Sequence, residues 1–187
     1  MQSLDDDLRL RLLERADVVA RTVVSQQPFY RSQQCSSNQK QLLETMVGAA
    51  IWYFPGSDIL WTGAISVAAL KLLAASSLPK TVKLTKEHRY PRKVAAAELF
   101  ALDWSAIGDP AAEVLNRYLD CYGRFNYVLP EENKRLGKYQ KTHSFVSPEH
   151  AYTQAGIELR YLSMPLLKEI RAGESELASL VLSGQID

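Results

Sequence analysis

The chain has 187 residues, enough for one sizeable hydrophobic core or a core with a small lobe. Hydrophobic residues make up 47% and charged residues 23%, which excludes an intrinsically disordered chain. Net charge is only +1, so no global field attracts nucleic acid; the cations gather instead around 80–93 and 124–141, away from Asp5, Asp6 and Asp7. Cys35 and Cys121 are too distant in sequence for a zinc knuckle or a disulfide framework. The acidic start lacks the basic region of a secretory leader. The most apolar region, residues 51–73, is broken by Pro55-Gly56-Ser57-Asp58 and carries Lys71, short of the roughly 20 uninterrupted residues of a membrane span. These features predict a cytoplasmic protein with no membrane partner.

The elements follow in order. Leu4, Leu8, Leu12, Ala16, Val19 and Val23 recur at three- and four-residue steps, predicting an amphipathic helix over 3–25, with Ser3 and Asp6 at its cap. Residues 26–39 are rich in Gln and Ser, and Pro28 predicts a loop. A second helix spans 39–54 and ends in Trp52, Tyr53 and Phe54, aromatics that suit a core corner or a stacking platform for bases. Ser57 or Asp58 then caps a helix over 59–75, apolar most of the way round and so predicted as the central buried helix. Thr81 to Thr85 is a β-type run leading to Glu87 and His88. A short helix is expected over 94–102, and Asp109-Pro110 starts another that Gly123 stops. Phe125, Tyr127 and Val128 suit a strand, and Pro130, Glu131 and Glu132 open a short helix. Ser147-Pro148-Glu149 begins a further helix, 157–162 reads equally as strand or helical turn, and 166–182 is helical with a break near Ala172-Gly173. The fold class expected is mainly α with a small β-hairpin, a strand–strand–helix motif embedded in a helical domain. Residues 1–79 form a helical N-terminal part and 80–187 the motif with its helical surroundings, together one compact domain.

Two stretches concentrate the chemistry. In TVKLTKEHRYPRK, residues 81–93, Glu87 and His88 stand among Lys80, Lys83, Lys86, Arg89, Arg92 and Lys93. An imidazole changes charge near neutral pH and a carboxylate holds hard cations, so this pair in a cationic strip suits work on a polyanion. In RFNYVLPEENKRLGK, residues 124–138, Asn126 lies on the strand and Asn133 in the first helical turn, followed by Lys134, Arg135 and Lys138.

Together these stretches resemble the HNH, or ββα-metal, endonuclease family. Glu87-His88-x-x-Pro91-Arg92 is similar to the family's first element, where Asp is commoner than Glu; Asn126-Tyr127-Val128-Leu129 resembles the second and Asn133-Lys134-Arg135 the third. The resemblance covers about a third of the chain, with residues 94–123 as a helical insertion between the strands, and the absence of CxxC pairs means that no structural zinc is implied. It implies a metal-dependent nuclease with His88 as general base, Asn126 orienting it, and Glu87 and Asn133 holding Mg²⁺ or Mn²⁺ against the scissile phosphate. Arg89, Arg92, Lys93, Lys134, Arg135 and Lys138 would contact phosphates, on DNA in preference to RNA. Two other readings stay open: a helical nucleic-acid-binding module that does not cut, and a helical interaction protein of antitoxin or immunity type. A homodimer or a protein partner is open under each. His143 and His150 match no common zinc spacing and compete for a role.

Overall fold

The computed structural model describes residues 5–56 and 58–186; the expected cap at Ser3 and the alternative cap at Ser57 lie outside them. The first elements are α1 (Asp6–Arg31), α2 (Ser37–Trp52), β1 (Trp61–Ser66), α3 (Val67–Ala75) and β2 (Thr85–His88). They are followed by α4 (Arg92–Ala101), α5 (Pro110–Arg117), β3 (Phe125–Val128) and α6 (Pro130–Leu136). The chain closes with α7 (Pro148–Gln154), β4 (Leu159–Tyr161), α8 (Met164–Ala172) and α9 (Ser175–Leu182). The described residues are mainly helical with a small β part, as the sequence predicts, but that part is a four-stranded mixed sheet and not only the expected hairpin. The chain divides into two compact units, each assembled from separate segments: Met1–Leu60, Arg89–Arg124 and Lys141–His143 in one, Trp61–His88, Phe125–Gln140 and Ser144–Asp187 in the other.

In the first unit α1 packs on α5 and α2 on α4. The face of α1 read from the sequence is the buried one: Leu12, Ala16, Val19 and Val23 are all at most 3% exposed. The helix does not stop at 25, however, and Pro28 does not break it; it runs to Arg31. Tertiary contacts hold this last turn. The Gln27 amide donates to the carbonyls of Phe100 and Leu102, Arg31 donates to those of Phe100, Ala101 and Leu102, and Tyr30 stacks on Phe100 at 4.3 Å. α2 starts with a capping box: the Gln39 N–H donates to Ser36 Oγ and the Ser36 N–H to Gln39 Oε1. Of the three aromatics at its end, only Phe54 packs inward, against Tyr118 at 4.7 Å; Trp52 and Tyr53 are exposed, and the Arg92 guanidinium lies over the Trp52 ring. Asp109 caps α5 by accepting from the Ala112 N–H at 3.0 Å, and a π turn over Tyr118–Tyr122 carries the chain to Gly123.

In the second unit the strand order is β2-β3-β1-β4, with β1 parallel to β3 and the other pairs antiparallel. The helix expected over 59–75 is therefore corrected: Ile59 and Leu60 end a 3-10 turn, Trp61–Ser66 is an inner strand, and the α-helix starts at Val67. An inner strand with both neighbours paired reads as a continuous apolar run, which periodicity does not separate from a buried helix. Gly63 adopts φ +86° where the register between β1 and β3 shifts, a backbone state that glycine reaches without strain. Ser66 ends the strand and caps α3, accepting from the Ala69 N–H at 3.1 Å. The strand expected at 81–85 also starts later. Pro79–Thr81 is a short 3-10 turn in which the Thr81 hydroxyl donates to the Leu78 carbonyl, so the pairing strand is Thr85–His88 and contains both motif residues. Within residues 157–162, Leu159–Tyr161 form the strand β4, antiparallel to β1. Val128, Leu136, Ala151, Tyr152 and Ile157 make the core that joins β3, α6 and α7.

Candidate functional site

β2 and β3 pair in antiparallel register, with Glu87 opposite Asn126 and His88 opposite Phe125. α6 follows β3 after a single residue and packs against β2. Side chains alternate across a strand, so the ladder has two chemically different faces. Glu87, Asn126 and Val128 share the face covered by α6 and α7. Lys86, His88, Phe125 and Tyr127 share the other: the His88 and Phe125 rings are 6.3 Å apart, Phe125 meets Tyr127 edge-on at 5.5 Å, and Lys86 Nζ lies 4.8 Å from the Phe125 ring centre.

The covered face holds a buried polar chain. Glu87 is 2% exposed, Asn126 1% and Tyr152 5%. The Thr62 hydroxyl donates to Asn126 Oδ1 and itself accepts from the Ala64 N–H at 3.1 Å. Asn126 Nδ2 donates to the Tyr152 hydroxyl at 2.9 Å, and that hydroxyl donates to Glu87 Oε2. Gln140 Nε2 donates to Glu87 Oε1 at 2.5 Å. Every bond in the series runs toward Glu87, which is the acceptor at its end. A buried polar group without partners is costly, so these bonds fix both the carboxylate and the carboxamide.

A second buried carboxylate has a local role. Glu132 Oε2 accepts from the Ser66 hydroxyl at 2.5 Å and from the Leu129 N–H at 2.9 Å, which ties the start of α6 to the end of β1.

The structure thus brings Glu87 and Asn126 together and puts the side chain of His88 on the opposite side of the strand from Glu87. Asn133 is partly buried on α6 and bonds through its backbone, its N–H to the Leu129 carbonyl and its carbonyl to the Gly137 N–H. Lys134, Arg135 and Lys138 are exposed or nearly so in the same unit, Arg135 lying 4.0 Å from Glu132. Arg89, Arg92 and Lys93 belong to the other unit, where the Arg89 N–H bonds the Arg124 carbonyl. His143 is exposed in that unit, and His150 is exposed at the start of α7.

Glu87 and Asn133 offer a carboxylate and a carboxamide oxygen. As residue types these suit a hard cation; as placed, Glu87 is buried with both oxygens accepting hydrogen bonds, so the pair does not fit a cation open to water and phosphate. Among the described residues no group of three or more His, Cys, Asp or Glu is placed to hold a metal ion. A cation at Glu87 would share the carboxylate with Gln140 and Tyr152. Among the described residues no helix is long and apolar enough to cross a membrane. The chain matches no protein-family model, no curated protein and no solved structure.

Sequence reasoning missed Thr62, Gln140 and Tyr152. Thr62 was hidden within the supposed helix over 59–75. Gln140 lies in a polar stretch beyond α6, and Tyr152 looks like an ordinary apolar position of α7. The one usable signal is the Ala151-Tyr152 pair, with Ala155 one turn on, which marks the inward face of that helix.

Proposed function

We propose that the chain hydrolyses phosphodiester bonds in nucleic acid, DNA in preference to RNA, at the β2–β3–α6 segment. The observation that supports this is the assembly of two distant stretches into strand, antiparallel strand and helix, with Glu87 facing Asn126 and His88 on the last residue of β2. That is the order the resemblance to HNH endonucleases implies. His88 takes the proton of the attacking water on a ring nitrogen. On the resemblance, Glu87 and Asn133 would hold Mg²⁺ or Mn²⁺, whose part would be to relieve charge on the phosphate, and Glu87 would have to leave its bonds from Gln140 and Tyr152 to do so. Asn126 fixes the strand pair beneath them through Thr62 and Tyr152. Lys134, Arg135 and Lys138 contact phosphates without reading sequence.

A second reading is a module that binds nucleic acid without cutting it. It is favoured by the burial of Glu87, with bonds from Gln140 and Tyr152 on its two oxygens, and by the placement of His88 on the other side of the strand. One experiment separates the two. Plasmid and single-stranded DNA are incubated with the protein in Mg²⁺, Mn²⁺ or EDTA, and wild type is compared with His88→Ala and Asn133→Ala. Cleavage that needs metal and falls about 10²–10⁴-fold in His88→Ala supports the nuclease. Equal cleavage by His88→Ala rejects the mechanism, and salt-sensitive binding without cleavage moves the conclusion to the second reading.

A further inference from the structure

We propose that Trp52, Tyr53, Arg15 and Arg92 form a binding site for single-stranded nucleic acid, the two rings taking bases and the two guanidiniums taking phosphates. All four belong to the first unit, whereas the residues given hydrolysis belong to the second, so the inference goes beyond that reading and does not need cleavage. The end of α2 commits Ile51 and Phe54 to the core and leaves the two residues between them outside, Trp52 50% and Tyr53 74% exposed. Gly48 lets the first turn of α4 come against α2, since a Cβ there would stand 2.7 Å from the Arg92 carbonyl oxygen. From that turn the Arg92 guanidinium lies 5.5 Å from the centre of the Trp52 ring, a cation–π contact that sets a positive charge beside the aromatic face. Arg15 reaches over from α1 and donates one N–H to the Tyr53 carbonyl. Among the described residues neither arginine is ion-paired, so both charges remain for a ligand. Exposed rings beside unmatched cations call for flat groups alternating with negative ones. Single strands offer that arrangement, whereas a duplex keeps its bases stacked on one another. An apolar protein surface would also cover the rings, and Leu42 and Met46 are exposed on the same helix. It would, however, bury two guanidiniums without counter-charge, which is costly.

The test is a titration of the full chain in EDTA with an oligothymidylate of about 16 nucleotides and with a duplex of equal length, followed by tryptophan fluorescence. The other two tryptophans, Trp61 and Trp104, are each 7% exposed, so quenching on contact with bases reports Trp52. Wild type binds the single strand more tightly than the duplex, and its fluorescence is quenched. Trp52→Ala loses the quenching, and Trp52→Ala and Tyr53→Ala each bind about 5–150-fold more weakly with circular dichroism unchanged. Arg15→Ala and Arg92→Ala lower the slope of log K against log salt by about 0.7 for each phosphate no longer neutralised. The proposal is overturned if wild type does not bind the single strand, or if the folded Trp52→Ala and Tyr53→Ala variants bind it as wild type does. Self-association in sedimentation that Trp52→Ala abolishes and oligothymidylate leaves unchanged also overturns it, giving the rings to a second copy. Should Trp52→Ala not fold, the fully solvent-facing Tyr53→Ala decides alone. Cleavage is scored separately: binding of this kind by a protein that cuts nothing keeps the site and removes the hydrolysis, whereas cutting with binding indifferent to both aromatic variants removes the site alone.

Discussion

Glu87 and His88 are chain neighbours whose side chains leave β2 in opposite directions, one toward Asn126 and Tyr152, the other toward Phe125. An acid–histidine pair in a sequence therefore resolves into two environments. The first is buried and hydrogen-bonded, the second aromatic and partly open. DNA cleavage by His88→Ala probes the second, and four further predictions concern the scaffold and the cations.

The α6 cations are predicted to act as point charges on phosphate. Replacing Lys134, Arg135 or Lys138 singly by Ala should weaken DNA binding to a similar extent whatever the sequence. It should also reduce the slope of log K against log salt by about 0.9 for each phosphate no longer neutralised. Binding isotherms between about 50 and 200 mM salt measure this, and unchanged slopes in all three variants would remove α6 from the interface.

Gly48 is where α2 crosses α4. A Cβ added there would stand 2.7 Å from the Arg92 carbonyl oxygen and 2.9 Å from its carbon. Glycine to alanine in a helix ordinarily gains about 1 kcal/mol. Here the backbone of a neighbouring helix must move, so Gly48→Ala should destabilise by about 1–3 kcal/mol. Urea denaturation decides the sign.

Pro28 sits inside α1 and is exposed, so its ring costs the helix one backbone bond without filling the core. Pro28→Ala should stabilise the protein, by roughly 1–3 kcal/mol against the helix-interior penalty of about 3. Calorimetry that shows a lower Tm for this variant would mean that the ring orders the turn carrying Gln27 and Arg31.

Alkaline pH should unfold the protein through its tyrosines. Burial pushes the Tyr118 phenol up to about 12. Tyr30 and Tyr90 are raised too, first by burial and then by hydrogen bonds to Glu44 and Glu98; Tyr122 is raised mainly by burial. A group that holds its proton more tightly when folded leaves stability unchanged below its unfolded value, about 10 for tyrosine. Above it the unfolded chain loses the proton first, and stability falls as pH rises. Tm should therefore be level between about pH 8 and 9 and drop from about 10 to 12, with a shallower drop in Tyr118→Phe. A Tm that falls as steeply in Tyr118→Phe as in wild type would contradict this.

Much of the fold is legible in the sequence where a local signal suffices. Asp109-Pro110, Ser147-Pro148 and Leu129-Pro130 each open the helix expected, because a cap or a proline at the first position acts within one turn. Gly173, at φ +136°, breaks the last helical region as its position suggests. The misreadings come from long-range partners. Pro28 stays helical because carbonyls at Phe100, Ala101 and Leu102 hold its turn, and Trp61–Ser66 is a strand because β3 and β4 pair with it on either side. Of the site, the sequence reading set Asn126 to orient His88, whereas in the register Asn126 lies opposite Glu87 and its side chain bonds Thr62 and Tyr152. The opposite directions of Glu87 and His88 follow from both lying inside β2, whereas the sequence reading ended the β-type run at Thr85.

The order β2-β3-β1-β4 also has a consequence for synthesis. β1 and β2 are made first, yet they are not neighbours, and the strand between them lies beyond the whole Arg89–Arg124 segment. On a ribosome adding about 5–20 residues per second, both wait with open edges for several seconds until Phe125–Val128 emerges. Premature termination in that interval would release a polypeptide in which neither β1 nor β2 has a paired edge, a species prone to aggregate and dependent on chaperones.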